Sequence, residues 1–174
     1  QALNDSIEAL DDSAQALNHS TQADETPALG VRLRAELKGL RDARIQRFRQ
    51  DQKVSLLLRG LARDSDQVLR KLWLGCRMPS GWALLAVGGY GRGELQPASD
   101  VDLLVLIPQA PSRAEATRAE RFVGCCWDIG IEIGHSVRTP AQCVEQGRAD
   151  ITVMTSLTER RRLAGSKPME EALD

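Results

Sequence analysis

The sequence predicts an α+β protein in which a small mixed sheet flanked by helices follows an N-terminal helical segment. Two observations support this class. Apolar residues recur at helical spacing between Leu29 and Leu74. Further along, short apolar runs bounded by turn residues alternate with helical patterns, as they do in a domain that mixes strands and helices. We therefore divide the chain into residues 1–27, 28–75 and 76–174.

The composition excludes several classes of protein. The 174 residues are 42% hydrophobic, enough for one good core, and 23 basic residues nearly balance 24 acidic ones. We therefore expect no long nucleic acid and no anionic membrane as partners. No apolar run approaches the roughly 18 residues that span a bilayer, and the first residues do not resemble a signal peptide, so a cytoplasmic protein is expected.

The cysteines and tryptophans are expected to be structural. The four cysteines show neither metal-ligand spacing nor a disulfide framework, and with two histidines a zinc site is not expected. The adjacent Cys125 and Cys126 are expected to be buried free thiols. The spacing of Trp73, Trp82 and Trp127 is typical of core anchors.

The first half of the chain is expected to be helical. Residues 1–27 contain few apolar residues, so we expect a flexible, frayed or loosely helical N-terminus. Residues 29–74 predict two or three helices that pack on the core. The turn residues Met78-Pro79-Ser80-Gly81 stop the last of these helices before the first strand.

Three strands are predicted in the second half. Residues 82–87 and 101–107 are apolar runs typical of buried strands, the second interrupted near its start by Asp102. Residues 131–138 alternate apolar and non-apolar side chains, which indicates a half-buried strand.

Capping residues place three further helices. Ser112 is expected to cap a helix over residues 114–127, and Thr139 a short helix over residues 141–146. Asp150 is expected to cap a last helix over residues 151–163. Gly130 and Gly165 are expected to end the first and the last of them. The run Arg160-Arg161-Arg162 in the last helix is expected to form a solvated face.

A glycine-rich turn after the first strand is the first candidate site. Gly88 and Gly89 remove two side chains and permit positive backbone torsions, so that amide groups can face phosphate oxygens. Gly91 extends the opening, and Arg92 is a candidate phosphate partner. Taken alone, the glycines indicate a tight turn more often than a phosphate site, and a solvated surface position explains Arg92 equally well.

Two carboxylates follow this turn at the entrance of the next strand. Asp100 and Asp102 are two residues apart, so on a strand they project from one face with Cα atoms roughly 7 Å apart and can share a hard cation. Charges entering an apolar strand are costly to desolvate without such a partner. Ser99 precedes the pair and joins the nucleotide-binding candidates. Together the turn and the aspartates predict metal-assisted handling of a nucleotide triphosphate.

Other phosphate motifs do not fit. The Walker pattern G-x-x-x-x-G-K-[ST] is absent from the sequence, and Gly89 to Glu94 do not fit the register G-x-G-x-x-G. The order of strand, glycine pair, short helix and D-x-D instead resembles the nucleotidyltransferase superfamily of the DNA polymerase beta type. That resemblance implies a polymerase-beta-like core.

A closer resemblance is to the bacterial PII-protein uridylyltransferase/uridylyl-removing enzymes. It is carried by residues 88–95 and 99–104, and it continues through residues 127–139, 147–152 and 157–165. The resemblance implies Mg²⁺-dependent transfer of UMP from UTP to a tyrosine of the PII signal protein, with release of pyrophosphate, in nitrogen regulation. It also implies that Asp100 and Asp102 hold the metal.

The third carboxylate of such a site is assigned to Glu132. It lies on the strand expected beside the D-x-D strand, where it can orient or deprotonate the incoming hydroxyl. In the related glutamine synthetase adenylyltransferases the third aspartate falls nearer the position of Gly134. An exposed strand position therefore explains Glu132 equally well.

Two other functions stay open at this point. One is an adenylyltransferase that acts on another protein, such as glutamine synthetase, and the other is a non-catalytic nucleotide-binding module of the same fold. The resembling enzymes are much longer and carry a phosphohydrolase domain that removes UMP and domains that sense glutamine. We therefore expect this chain to be a fragment that lacks both.

Overall fold

The structure is a computed structural model that describes the backbone of residues 2–174 and the side chains of residues 26–174. It begins with two long helices, α1 (Ala2–Asp51) and α2 (Val54–Gly75). The two run antiparallel, because Glu36 on α1 binds Lys71 near the end of α2, with Nζ 2.7 Å from Oε1, while Arg44 binds Asp64 nearer its start. Two helices agree with the prediction for residues 29–74.

The character predicted for residues 1–27 stays a prediction, because the side chains of residues 1–25 lie outside the described residues. Over the part of the chain that the structure describes, no helix combines the length and apolar character needed to cross a bilayer.

Four strands form one mixed sheet, which confirms the predicted fold class. They are β1 (Ala83–Ala86), β2 (Val101–Leu106), β3 (Ile133–Arg138) and β4 (Arg161–Gly165), in the spatial order β3-β2-β1-β4. Strand β1 is antiparallel to both of its neighbours, whereas β2 and β3 are parallel. Five shorter helices connect and follow the strands: α3 (Gly88–Gly91), α4 (Arg113–Asp128), α5 (Pro140–Ala149), α6 (Ile151–Thr158) and α7 (Lys167–Glu171).

The predicted caps are present. Ser112 and Glu115 form a reciprocal capping box at the start of α4, and Thr139 and Gln142 form a second one at α5. The Asp150 carboxylate accepts a hydrogen bond of 2.7 Å from the amide of Thr152 in α6. These local hydrogen bonds explain where three helices begin.

Helices cover both faces of the sheet. On one face, Leu84, Leu103 and Val105 belong to the larger core with residues of α1, α2 and α4. On the other face, Leu85, Leu104 and other strand residues pack with Cys143 of α5, Leu157 of α6 and residues at the end of the chain. Residues alternate between the faces along a strand, so Asp102 shares the second face with Leu104.

The predicted last helix, residues 151–163, is wrong. Helix α6 ends at Thr158, and Arg161–Gly165 form β4, which supplies the second hydrogen-bonding edge of the buried strand β1. Gly165 therefore ends a strand, with φ +83°. The arginines do not form a solvated face: Arg160, Arg161 and Arg162 bind Asp174, Asp66 and Glu170 respectively.

The predicted tryptophan and cysteine positions need partial correction. Trp73 and Trp82 are core residues with 3% and 2% exposure, but Trp127 is 59% exposed because Phe122 and Cys126 occupy the inward face of α4. All four cysteines are free, as expected. Cys126 is buried, whereas Cys125 is only half-buried.

Candidate active site

The antiparallel pairing of β1 and β2 brings the glycine turn and the aspartates together. The end of β1 lies beside the start of β2, with Ala86 opposite Leu103. The amide of Val87 then donates a hydrogen bond of 3.1 Å to the carbonyl of Asp102. Gly88, the next residue, therefore lies beside the Asp102 side chain.

Gly88 leaves the strand in a conformation that favours glycine, with φ +56°. A Cβ atom at this position would lie 3.7 Å from Asp102 Oδ2 and 3.7 Å from Ser156 Oγ. The missing side chain thus leaves the backbone of the turn open to a carboxylate and a hydroxyl. Gly89 and Gly91 continue the turn as α3.

Asp102 lies at the mouth of the site and faces the charge of Asp100. Partial burial, and then the neighbouring Asp100 carboxylate, raise the pKa of Asp102. The Asp100 carboxylate therefore disfavours the ionised form of Asp102, which a bound cation would relieve. The structure places Asp100 just before β2 and Asp102 within it.

The neighbouring strand β3 makes room for the Asp102 side chain. Gly134 pairs with Asp102 in the parallel register, and a Cβ atom at Gly134 would lie 2.6 Å from Asp102 Oδ1. Any larger residue in its place would have to displace the carboxylate.

Glu132 is exposed and lies just before β3, where its carbonyl accepts a hydrogen bond of 2.9 Å from the amide of Val101. In the described part of the chain, no group of three or more His, Cys, Asp and Glu side chains is arranged to hold a metal ion. The structure therefore does not assemble Glu132 with Asp100 and Asp102 into a three-carboxylate site. The role of Glu132 stays a prediction.

Arg92 and Ser99 make contacts at the edge of the site. Arg92 Nη1 donates to Glu159 Oε2 at 2.6 Å, and its other terminal nitrogen lies 3.5 Å from where a Cβ atom of Gly89 would be. Ser99 Oγ donates to the carbonyl of Gln96 at 3.2 Å, within the turn that leads to β2. Both nucleotide-binding assignments stay predictions.

A cleft of about 350 Å³ extends from Asp102 between the sheet and α6. Strand β3 contributes Ser136 and Arg138, and the α6 segment contributes Thr152 and Ser156. This cleft can hold a small polar ligand, with hydroxyl donors on two sides and a guanidinium at the far end of β3.

The sequence reasoning did not assign Ser136, Thr152 or Ser156 to the site. Ser136 lies two residues from Gly134 on an alternating strand, so its place on the Asp102 face could have been predicted once β3 was placed beside β2. Thr152 and Ser156 reach the cleft through the packing of α6, for which the local sequence gives no sign.

Comparisons with known proteins agree with this geometry. The model of the nucleotidyltransferase domain family matches residues 69–153. The bifunctional uridylyltransferase/uridylyl-removing enzyme of Burkholderia lata is 50% identical to the chain over 138 residues, which are 79% of the chain and 16% of that relative. The corresponding enzyme of Burkholderia pseudomallei is 48% identical over 149 residues, which are 86% of the chain and 17% of that relative.

The chain spans about a sixth of the length of these curated relatives. The matched residues include the glycine turn, Asp100 and Asp102, and the start of the helix that closes the cleft. Together, the family match, the identity to uridylyltransferases and the arrangement of turn and carboxylates show that the chain contains a nucleotidyltransferase domain.

Proposed function

We propose that this chain transfers UMP from UTP to a tyrosine hydroxyl of the PII signal protein and releases pyrophosphate. The observation that supports this most is the convergence of Gly88, Asp102 and Ser156 at one end of a cleft, in a chain half identical to enzymes named as uridylyltransferases. The same resemblance supports a role in bacterial nitrogen regulation, in the cytoplasm.

Asp100 and Asp102 are the residues that would hold Mg²⁺. Their oxygen ligands suit this hard cation, and the raised pKa of Asp102 beside Asp100 fits a pair of charges that lacks compensation on its own. When held there, Mg²⁺ would supply positive charge that offsets the negative charge of the triphosphate and of the departing pyrophosphate.

The chain's own residues bind and orient the nucleotide. Gly88 and Gly89 let the triphosphate approach the backbone closely, while Arg138 and the Ser156 hydroxyl line the cleft that receives the rest of the nucleotide. The acceptor hydroxyl oxygen attacks the α-phosphorus, and the bond from that phosphorus to the oxygen bridging to the β-phosphate breaks. Glu132 is the predicted acceptor of the hydroxyl proton.

Isothermal titration tests the nucleotide site. UTP is titrated into the wild-type chain and into Asp102→Asn, each with and without Mg²⁺. We expect the wild type to bind more tightly with Mg²⁺ and Asp102→Asn to lose that dependence. Asp128→Asn, at the exposed end of α4, is the control for removing a surface charge. Equal Mg²⁺-dependent binding by wild type and Asp102→Asn would contradict the site.

Labelling tests the reaction itself. PII is incubated with the chain and UTP labelled at the α-phosphate, with ATP as competitor. We expect label to be transferred to PII. Excess unlabelled UTP should suppress this transfer, whereas ATP should not. Binding without transfer would favour a nucleotide-binding module, and preferential use of ATP would favour an adenylyltransferase.

A further inference from the structure

A buried carboxylate on α2 is joined directly to the glycine turn. Asp66 is 5% exposed, and its Oδ1 accepts a hydrogen bond of 2.6 Å from the hydroxyl of Tyr90. Tyr90, 2% exposed, lies in α3 immediately after Gly88 and Gly89. Burial, together with the nearby Asp66, raises the pKa of Tyr90, so its hydroxyl stays a donor.

Arg161 of β4 completes this connection. Its guanidinium donates to both oxygens of Asp66, at 2.6 Å and 3.1 Å. The same group donates to two backbone carbonyls of α3, those of Tyr90 at 3.4 Å and Gly91 at 3.3 Å. Arg161 therefore binds the carboxylate and the backbone of the turn at once.

The charges in this cluster depend on one another. Arg70 of α2 lies 3.8 Å from Asp66 Oδ2 and also donates to the carbonyl of Leu163 in β4, at 2.8 Å. Within residues 26–174, every buried side-chain nitrogen and oxygen has a hydrogen-bond partner. Removing the Asp66 carboxylate would leave the buried Tyr90 hydroxyl without its acceptor and Arg161 without its carboxylate partner, which costs more than a single exposed ion pair contributes.

The turn also contacts the segment that precedes β4. A Cβ atom at Gly91 would overlap the carbonyl of Glu159, so α3 lies directly against the segment between α6 and β4. Asp66, Arg161 and the carbonyl of Glu159 therefore all contact α3. Gly88, at the start of α3, lies beside Asp102 and Ser156.

We propose that Asp66, Tyr90 and Arg161 are positioning residues that hold the Gly88–Gly91 turn against Asp102, so that nucleotide affinity depends on helix α2. This proposal rests on the proposed function, because it takes the turn as the place where the triphosphate binds.

Helix α2 provides a matched control. Asp64 is also 5% exposed and also binds an arginine with both oxygens, Arg44 Nε at 2.9 Å and Nη2 at 3.0 Å. Its partner lies on α1, and none of its hydrogen bonds involves α3. Asp64→Asn therefore removes a buried ion pair of the same kind without touching the turn.

The experiment compares Tyr90→Phe, Asp66→Asn and Asp64→Asn in the full chain. It measures affinity for UTP with Mg²⁺, hydrogen exchange of the Gly88–Gly91 amides without nucleotide, and unfolding in denaturant. We expect Tyr90→Phe to weaken binding about tenfold, as for loss of one hydrogen bond to a charged group, and to speed exchange in the turn. Asp64→Asn is expected to lose stability while its affinity stays within about twofold of the wild type.

The double variant adds a readout that general destabilisation would not produce. Because Tyr90 acts through Asp66, Asp66→Asn with Tyr90→Phe is expected to bind no more weakly than Asp66→Asn alone. If Asp66→Asn does not fold, Tyr90→Phe still decides the question, since it keeps the ring and the charge pair. Unchanged affinity and unchanged exchange in Tyr90→Phe would overturn the proposal.

Failure of the proposed function is distinguishable from failure of this inference. If the wild type binds no nucleotide, the proposed function fails and hydrogen exchange alone decides the positioning role. Faster exchange of the turn in Tyr90→Phe but not in Asp64→Asn then supports it. Equal exchange in the two variants overturns it.

Discussion

Asp102 on β2 lies directly opposite Gly134 on β3, with a separation so small that a methyl group at position 134 would come within 2.6 Å of Asp102 Oδ1. Parallel pairing puts both residues on the face that α6 covers. Position 134 therefore requires glycine, because the Asp102 carboxylate occupies the space that a side chain would fill.

We predict that Gly134→Ala impairs the site more than the fold. The added methyl group meets only the end of one side chain, so the Asp102 carboxylate must rotate away while the strand stays paired. We expect Mg²⁺-dependent UTP binding to fall at least about tenfold, because the proposed metal ligand Asp102 would be held out of place. The denaturation midpoint is measured in parallel and should change little.

Gly124→Ala is the matched control for this substitution. Gly124 lies exposed in α4, and a Cβ atom there meets nothing within 4 Å. This variant should gain about 0.5–1 kcal/mol of stability, because alanine favours a helix interior, and should bind nucleotide as the wild type does. A Gly134→Ala variant that binds UTP normally would show that a side chain at position 134 does not displace the Asp102 carboxylate.

Gly91→Ala is predicted to destabilise the chain. The added Cβ atom would overlap the carbonyl of Glu159, a backbone atom that cannot rotate away. We expect a loss of about 2 kcal/mol in the free energy of unfolding, typical of overpacking, measured by denaturant titration. Gly81→Ala, where a Cβ atom meets nothing within 4 Å, should leave the free energy almost unchanged. Equal stability of the two variants would show that α3 can shift freely.

The parts of the site that could be predicted depend on local sequence. Glycines after an apolar run, two aspartates entering the next, and capping residues each constrain the backbone within a few residues. That is why the turn, the β2 entrance and the caps of α4, α5 and α6 were found. The pairing of Gly134 with Asp102 could not be predicted without the register of β3.

The parts that could not be predicted depend on partners distant in sequence. The sequence around Arg161 predicts a surface residue, yet Arg161 binds Asp66, which lies 95 positions earlier. Pairing with β1 makes residues 161–165 a strand, although their charges are typical of an exposed helix. Likewise, whether Trp127 faces the core depends on how α4 rotates against α2, where Phe122 meets Trp73 edge to face.

We predict that the capping box of α4 contributes measurably to stability. Ser112 Oγ accepts from the amide of Glu115, and the Glu115 carboxylate accepts from the amide of Ser112 at 2.8 Å. Ser112→Ala removes the first bond and should lower the free energy of unfolding by about 1 kcal/mol, measured by denaturant titration. Ser80→Ala, in the exposed turn before β1, is the control and should be neutral. Identical midpoints for both variants would contradict a stabilising cap.

We predict that the buried Cys76 thiol makes the folded chain lose stability as the pH becomes alkaline. Cys76 caps the end of α2 and is 3% exposed, and burial, followed by the nearby Cys125 thiol, raises its pKa from 9.0 to about 12. Below pH 9 the thiol is protonated in both the folded and unfolded chain, so its contribution is fully present there. Between pH 9 and about 12 the unfolded chain releases the proton first, and the free energy of unfolding falls as pH rises.

Cys76→Ala removes this titration, so the comparison of two pH profiles isolates it. Both proteins are unfolded with denaturant under reducing conditions at pH 7.5, 9, 10 and 10.5. The wild type is expected to be more stable at pH 7.5, because alanine leaves a cavity in the core, and its advantage should shrink as pH rises. A constant difference between the two profiles would mean that the Cys76 thiol ionises equally easily in the folded and unfolded chain.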